Sequence, residues 1–94
     1  MNQDKVLPIP VAASRDANSF ELISVWISNK CPHITIQSNA WDDPAAWGIV
    51  LFDVMQVVAL KYSEDTKKDR TELFGRIRDV FLAEVQSEEG KQIH

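Results

Sequence analysis

One cysteine, three glycines and ten basic residues are all that this 94-residue chain holds of those types. A lone cysteine, Cys31, excludes an intrachain disulfide. The simplest setting for such a chain is a reducing one, so a cytoplasmic location is expected. Fourteen acidic residues outnumber the bases and leave a net charge of −4. That balance argues against a nucleic-acid module, which needs a clustered basic footprint for the phosphates. It argues equally against docking on an anionic membrane surface. The longest apolar run, WGIVLF (47–52), falls far short of a transmembrane span. The start, MNQDKVLPIPV, lacks the apolar core of an export signal. There is no internal repeat, no low-complexity tract and no phosphate-loop, nucleophile-elbow or H-E-x-x-H pattern.

What is present is globular in kind: 45% hydrophobic and 26% charged residues. The length suits one domain, 1–94, with a single modest core. Residues 1–18 read as an N-terminal arm or loop, because Pro8 and Pro10 remove ladder donors from an otherwise apolar stretch. SFELISVWIS (19–28) is rich in Val, Ile, Phe and Trp and lacks Gly and Pro, which predicts a strand. Glu21, Ile23, Val25 and Ile27 share one face, and Phe20, Leu22, Ser24, Trp26 and Ser28 the other. With large apolar groups on both faces, the strand is expected to be covered on both. NKCP (29–32) has the length of a hairpin turn, and HITIQS (33–38) follows as a second strand, completing a β-hairpin over 19–38.

WDDPAAWG (41–48) then looks like a helix start. Asp is a favoured N-cap, Pro is favoured at the first helical position, and the residue before a proline avoids the α region. Asp43 as cap and Pro44 as first residue satisfy all three, predicting a helix over 43–63. Its apolar stripe is Trp47, Val50, Leu51, Val54, Val57 and Val58. The opposite side offers only Asp53 and Gln56 as polar groups among Ala46, Ile49 and Leu60. A helix this apolar all round needs burial on most sides, and a chain this short has little else to cover it. A second, amphipathic helix is predicted over 66–88, capped by Asp65 or Thr66, with Leu73, Phe74, Ile77, Val80, Phe81 and Val85 inward and Gly90 past its end.

The expected fold class is therefore α+β: a β-hairpin followed by two α-helices, completed by dimerisation. A lone hairpin leaves two raw edges and is marginal by itself, and a twofold dimer repairs that defect. The alternative is a monomer whose arm covers the open strand face.

Few residues suggest chemistry. Cys31 and His33 form C-x-H, but zinc needs more donors, and the other histidine is the terminal His94. As a nucleophile–base pair they lack an acidic partner. Asp42 and Asp43 are adjacent carboxylates at a helix start, where capping explains them better than acid–base catalysis. Asp53 is read as part of a wet stripe with Gln56 rather than as a functional buried acid. Gly48, unfavourable early in a helix, suggests close approach of a neighbouring element or a ligand. Trp26, Trp41 and Trp47 pack a core or line a pocket for an apolar or cationic ligand. No catalytic residue, metal or cofactor is assigned. The expected function is a homodimeric protein-interaction or adaptor module with a possible protein partner and neither nucleic acid nor membrane. A small-molecule module with a pocket at Trp26, Trp41, Trp47 and Gly48 is the alternative, and an enzyme is disfavoured.

LPIPVAA, the strand ending VWI, WDDPAAWG and RIRDVFLAE occur in this order along the chain. Together they resemble a family of short proteobacterial proteins classed only as a domain of unknown function, with the tryptophan-flanked helix-start block as the most distinctive part. The resemblance implies a shared architecture at that block and supplies neither catalytic residues nor a substrate.

Overall fold

A computed structural model describes residues 5–92; the first four residues of the expected arm and the last two of the chain lie outside the described residues. The chain divides into two compact units, residues 1–42 and 43–94.

The first unit carries a short helix, α1 (Val11–Ser14), where the sequence suggested only loop. Pro10 takes its N-cap position, and proline is well suited to open a helical turn. The Ser14 hydroxyl donates to the Val11 carbonyl at 2.7 Å. Beyond it, Asp16 Oδ1 accepts the Asn18 N–H at 2.9 Å, and the Ser19 hydroxyl donates back to the Ala13 carbonyl at 2.7 Å. These short polar side chains hold the segment in turns, as Ser, Asp and Asn do where they compete with regular structure.

Two strands follow, β1 (Ile23–Ser28) and β2 (Cys31–Ile36), paired antiparallel with Ile23 opposite Ile36 and Ser28 opposite Cys31. The hairpin is present, but its turn is shorter than NKCP. Asn29 (φ 53°) and Lys30 (φ 64°) form it alone, both left-handed as a tight hairpin turn requires, so Cys31 and Pro32 belong to the second strand. The Gln37 N–H donates to the Leu22 carbonyl at 2.9 Å. With that register, Leu22, Ser24, Trp26 and Ser28 turn their backbone groups toward β2, while Ile23, Val25 and Ile27 turn theirs away. Pro32 stands opposite Ile27, at a pair that exchanges no ladder bond, so its missing N–H costs the hairpin nothing.

The same register separates the two faces. Ile23, Val25, Ile27, Pro32, Ile34 and Ile36 form one, apolar throughout; Ser24, Trp26, Ser28, Cys31, His33 and Thr35 form the other. The expectation that β1 is covered on both faces is not met within the chain: Val25 is 53% exposed, Ile27 69%, and Trp26 on the opposite face 48%.

The second unit is a helix–loop–helix. α2 spans Ala46–Thr66, and α3 spans Arg70–Gln92. The N-cap of α2 is Ala45, not Asp43. Asp43 instead closes the turn in front: its Oδ1 accepts the Ala45 N–H at 2.9 Å, and its carbonyl accepts the Ala46 N–H at 3.2 Å. The chain thus enters α2 through a tighter turn of i to i+3 bonds, a common form at helix ends, and regular α structure begins two residues after Pro44. At the far end Lys67 is left-handed (φ 64°) and donates its N–H to the Ser63 carbonyl at 2.8 Å. That C-terminal αL turn carries α2 past the expected end at 63. The cap of α3 is neither Asp65 nor Thr66 but Asp69, whose Oδ2 accepts the Glu72 N–H at 3.1 Å. Asp69 and Glu72 have the spacing of a capping box. α3 continues through position 90 instead of stopping before it.

α2 packs on α3, with the Phe52 and Phe74 rings edge to face at 5.7 Å between centroids. Ala59 is fully buried, and it lies on the Phe52 side of α2 with the half-buried Met55, Gln56 and Ser63. The stripe expected to face inward is therefore not the one that packs: Leu51, Val54, Val57 and Val58 stay 37–55% exposed. Along α3, Leu73, Phe74 and Ile77 are half-buried, whereas Val80, Phe81 and Val85, also expected inward, are exposed.

Candidate functional site

Trp26 stands opposite His33 and lines a groove of about 600 Å³ that runs along β1 beside the arm residues Lys5, Val6 and Leu7. Trp41 precedes the Asp43 turn in the first unit, and Trp47 opens α2 in the second, half-buried. A larger apolar hollow, about 690 Å³, lies under the arm between Leu7, Ile9, Ala13, Phe20 and Ile23. Gly48 lies on the Phe52 side of α2, yet a Cβ there would meet nothing within 4 Å. The close approach that its small size suggests is not made by the chain itself.

Cys31 and His33 are exposed neighbours on one face of β2, two residues apart. No set of three His, Cys, Asp or Glu side chains able to hold a metal occurs among the described residues. Asp43 is engaged by the Ala45 N–H. Asp53 is exposed on α2, while Gln56, expected to share its wet stripe, is half-buried.

The feature that sequence reading passed over is the asymmetry of the hairpin's edges. On β1 the outward backbone groups of Ile23, Val25 and Ile27 pair with no other described strand. Nothing along β1 carries a charge or is a proline, the usual protections of an edge. On β2 the outward position opposite Ile27 is Pro32, which has no N–H to offer. The β2 edge thus lacks one outward donor, whereas β1 keeps all of its own. The signal was in the sequence as the proline itself, which was read as part of the turn.

A hairpin with one wholly apolar face, followed by a helix–loop–helix with an open apolar helix, defines a small α+β domain whose distinctive features are surfaces rather than a catalytic cluster. The family model described as Domain of unknown function (DUF5076) matches residues 6–89, and the chain belongs to that family. Among solved structures it is similar to a provisionally named pyruvate dehydrogenase from the photosynthetic bacterium Rhodopseudomonas palustrus CGA009. The two share 25% identity with a TM-score of 0.71, over 90% of this chain and 86% of the other. No curated protein matches the chain.

Proposed function

We propose that this protein is a cytoplasmic homodimeric interaction module, with its apolar hairpin and α2 surfaces as the means of association. The observation that carries the reading is exposure: Ile27 is 69% exposed, Ile34 61%, Ile49 68% and Val57 55%, and Ala59 alone among the described hydrophobic residues is buried. Fully burying a side chain of this size contributes about 1.5–3 kcal/mol, so four of them left open forgo a sum comparable with a small domain's whole stability. Large open apolar patches of this kind mark association surfaces. Sedimentation equilibrium at micromolar concentration tests it: a mass of two chains is expected, and a single-chain mass at tens of micromolar refutes the reading.

Two observations favour other readings. The groove beside Trp26 supports a small-molecule module, for which isothermal titration with aromatic and quaternary-ammonium probes should show saturable heat that Trp26→Ala abolishes. Secondly, α2 is long and apolar enough, by length and composition only, to cross a membrane. Asp53 and Gln56 near its middle oppose that use, since an acid at a bilayer centre costs about 2.5–3.5 kcal/mol on insertion scales. Vesicle flotation separates the cases: the dimer reading expects the protein to stay with the soluble fraction. The dehydrogenase name of the structural neighbour supports an enzyme reading only weakly, because the two chains share 25% identity.

A further inference from the structure

We infer that the side of α2 turned away from α3 is the dimer contact, and that its occupant is the same side of α2 in a second copy of this chain, packed antiparallel about a twofold axis at Val54. The inference rests on the homodimer reading above and adds the surface, the direction and the register. At about 100° per residue, Phe52, Ala59 and Ser63 fall on the side that meets α3. Trp47, Val50, Leu51, Val54, Val57 and Val58 fall together on the opposite side, within an arc of about 120°. All six belong to one helix, so this surface is defined without reference to the hairpin.

Area suits a pair of such helices. Leu51, Val54, Val57 and Val58 are exposed, and so is Tyr62 on the flank. With the half-buried Trp47 and Val50 they leave on the order of 500 Å² of apolar surface on this side. A homodimer interface of standard size buries ~800 Å² per partner, about 65% of it apolar, which asks for the same amount. Antiparallel packing of two α2 helices covers this side of each, so the area counted is the area the contact buries.

Charge sets the direction and the occupant. Between Trp47 and Tyr62 the one charged residue on this side is Lys61. Its ammonium is exposed, 3.7 Å from Glu64 Oε1. An antiparallel pair centred on Val54 sets Lys61 over the partner's Trp47, at both ends of the contact. It also sets Val50 opposite Val58 and Leu51 opposite Val57. An ammonium over an aromatic face is a favourable contact, and indole is the best ring for it. A parallel pair would instead bring Lys61 against its own copy. The hairpin of the same chain is the poorer occupant. Its apolar face, Ile23, Val25, Ile27, Pro32, Ile34 and Ile36, offers Lys61 neither an acid nor a ring.

Sedimentation equilibrium on the full chain and its variants tests the contact. Val54→Glu places two carboxylates together on the axis and should leave a single-chain mass at tens of micromolar. Val54 faces away from α3, so helical circular dichroism should stay unchanged, which separates lost pairing from lost folding. If that variant loses its helices, spin labels on the otherwise unsubstituted contact decide. With Cys31→Ser in place, nitroxides at Glu64→Cys should lie ~30 Å apart, because each sits ten residues from the axis at 1.5 Å per residue; parallel helices would bring them to ~10 Å. Lys61→Gln should raise the dimer Kd about tenfold, since two cation–ring contacts are lost at once. A two-chain mass that survives Val54→Glu overturns this contact and leaves the homodimer reading standing. A ~10 Å label separation overturns the direction, and an unchanged Kd in Lys61→Gln overturns the register. A single-chain mass for the parent removes both the inference and the reading it rests on; if Val54→Glu then lowers Tm, the chain's own hairpin covers α2 instead.

Discussion

Replacing Gly48 by alanine separates a helix that is merely penalised by its glycine from one that uses it. Gly48 lies in the first turn of α2, and glycine in a helix interior costs about 0.8–1.0 kcal/mol relative to alanine, through backbone entropy lost on folding. The new methyl would meet no atom within 4 Å, so no steric term opposes the gain. Gly75 in α3 is the internal reference: its Cβ would stand 3.5 Å from Arg78 Nη2, an ordinary contact with the end of a flexible side chain. Judged on the chain alone, both substitutions should stabilise by up to about 1 kcal/mol, equivalent to a rise of roughly 4–8 °C in Tm for a domain of this size. Urea unfolding of Gly48→Ala, Gly75→Ala and the parent at matched concentration gives the comparison. If Gly48→Ala destabilises or weakens association while Gly75→Ala stabilises, a partner subunit or ligand comes close at Gly48, and reasoning from the single chain is refuted at that position.

Two other substitutions follow from the turns and caps. Lys30 is a non-glycine residue at φ 64°, and Lys30→Gly creates the Asn-Gly pair that such turns prefer; the expected gain is about 0.5–1 kcal/mol by urea unfolding, and a loss would show that the lysine side chain has a structural role. Asp69→Ala should cost about 1 kcal/mol by removing the acceptor of the Glu72 N–H, with Asp69→Asn nearly neutral. Thr66→Ala, at the position first expected to cap α3, should cost less than Asp69→Ala, because its hydroxyl donates to the Tyr62 carbonyl inside α2.

The order hairpin, helix, helix was legible because each element announces its period: strong β-formers without glycine or proline at 19–28, and sustained apolar spacing after Pro44. Element ends were less legible, each for a local reason. Pro32 looked like a turn residue because proline usually breaks pairing, but at a site that exchanges no ladder bond the broken donor is not needed. Asp43 and Pro44 do shape the entry to α2, yet the first bonds there run i to i+3, which moves regular helix to Ala46. The inward face of α2 could not be chosen from sequence at all. A helix apolar nearly all round gives no direction to its own pattern, and the buried position fell to the small Ala59 on the side that carries Phe52. The open β1 edge needed the register, which depends on the two-residue turn.

Charge placement bears on whether the open apolar surfaces are a property of an isolated chain. Residues 17–60, which hold the hairpin and most of α2, contain five charged side chains: Glu21, Lys30, Asp42, Asp43 and Asp53. Residues 61–89 contain fourteen. A surface that stays in water gains nothing from excluding charge, and soluble chains intersperse it for solubility. Here charge is sparse where Val25, Ile27, Ile34 and Ile49 are exposed by half or more, and dense from the end of α2 onward. Depletion of charge with aliphatic and aromatic exposure is the composition of an interface centre, whereas mixed charge is that of a rim or a free surface. The pattern supports the proposed association through the hairpin and the body of α2. On that proposal a lysine at Val57 should reduce a two-chain mass to one chain, while one at Glu84 should leave the mass unchanged by sedimentation.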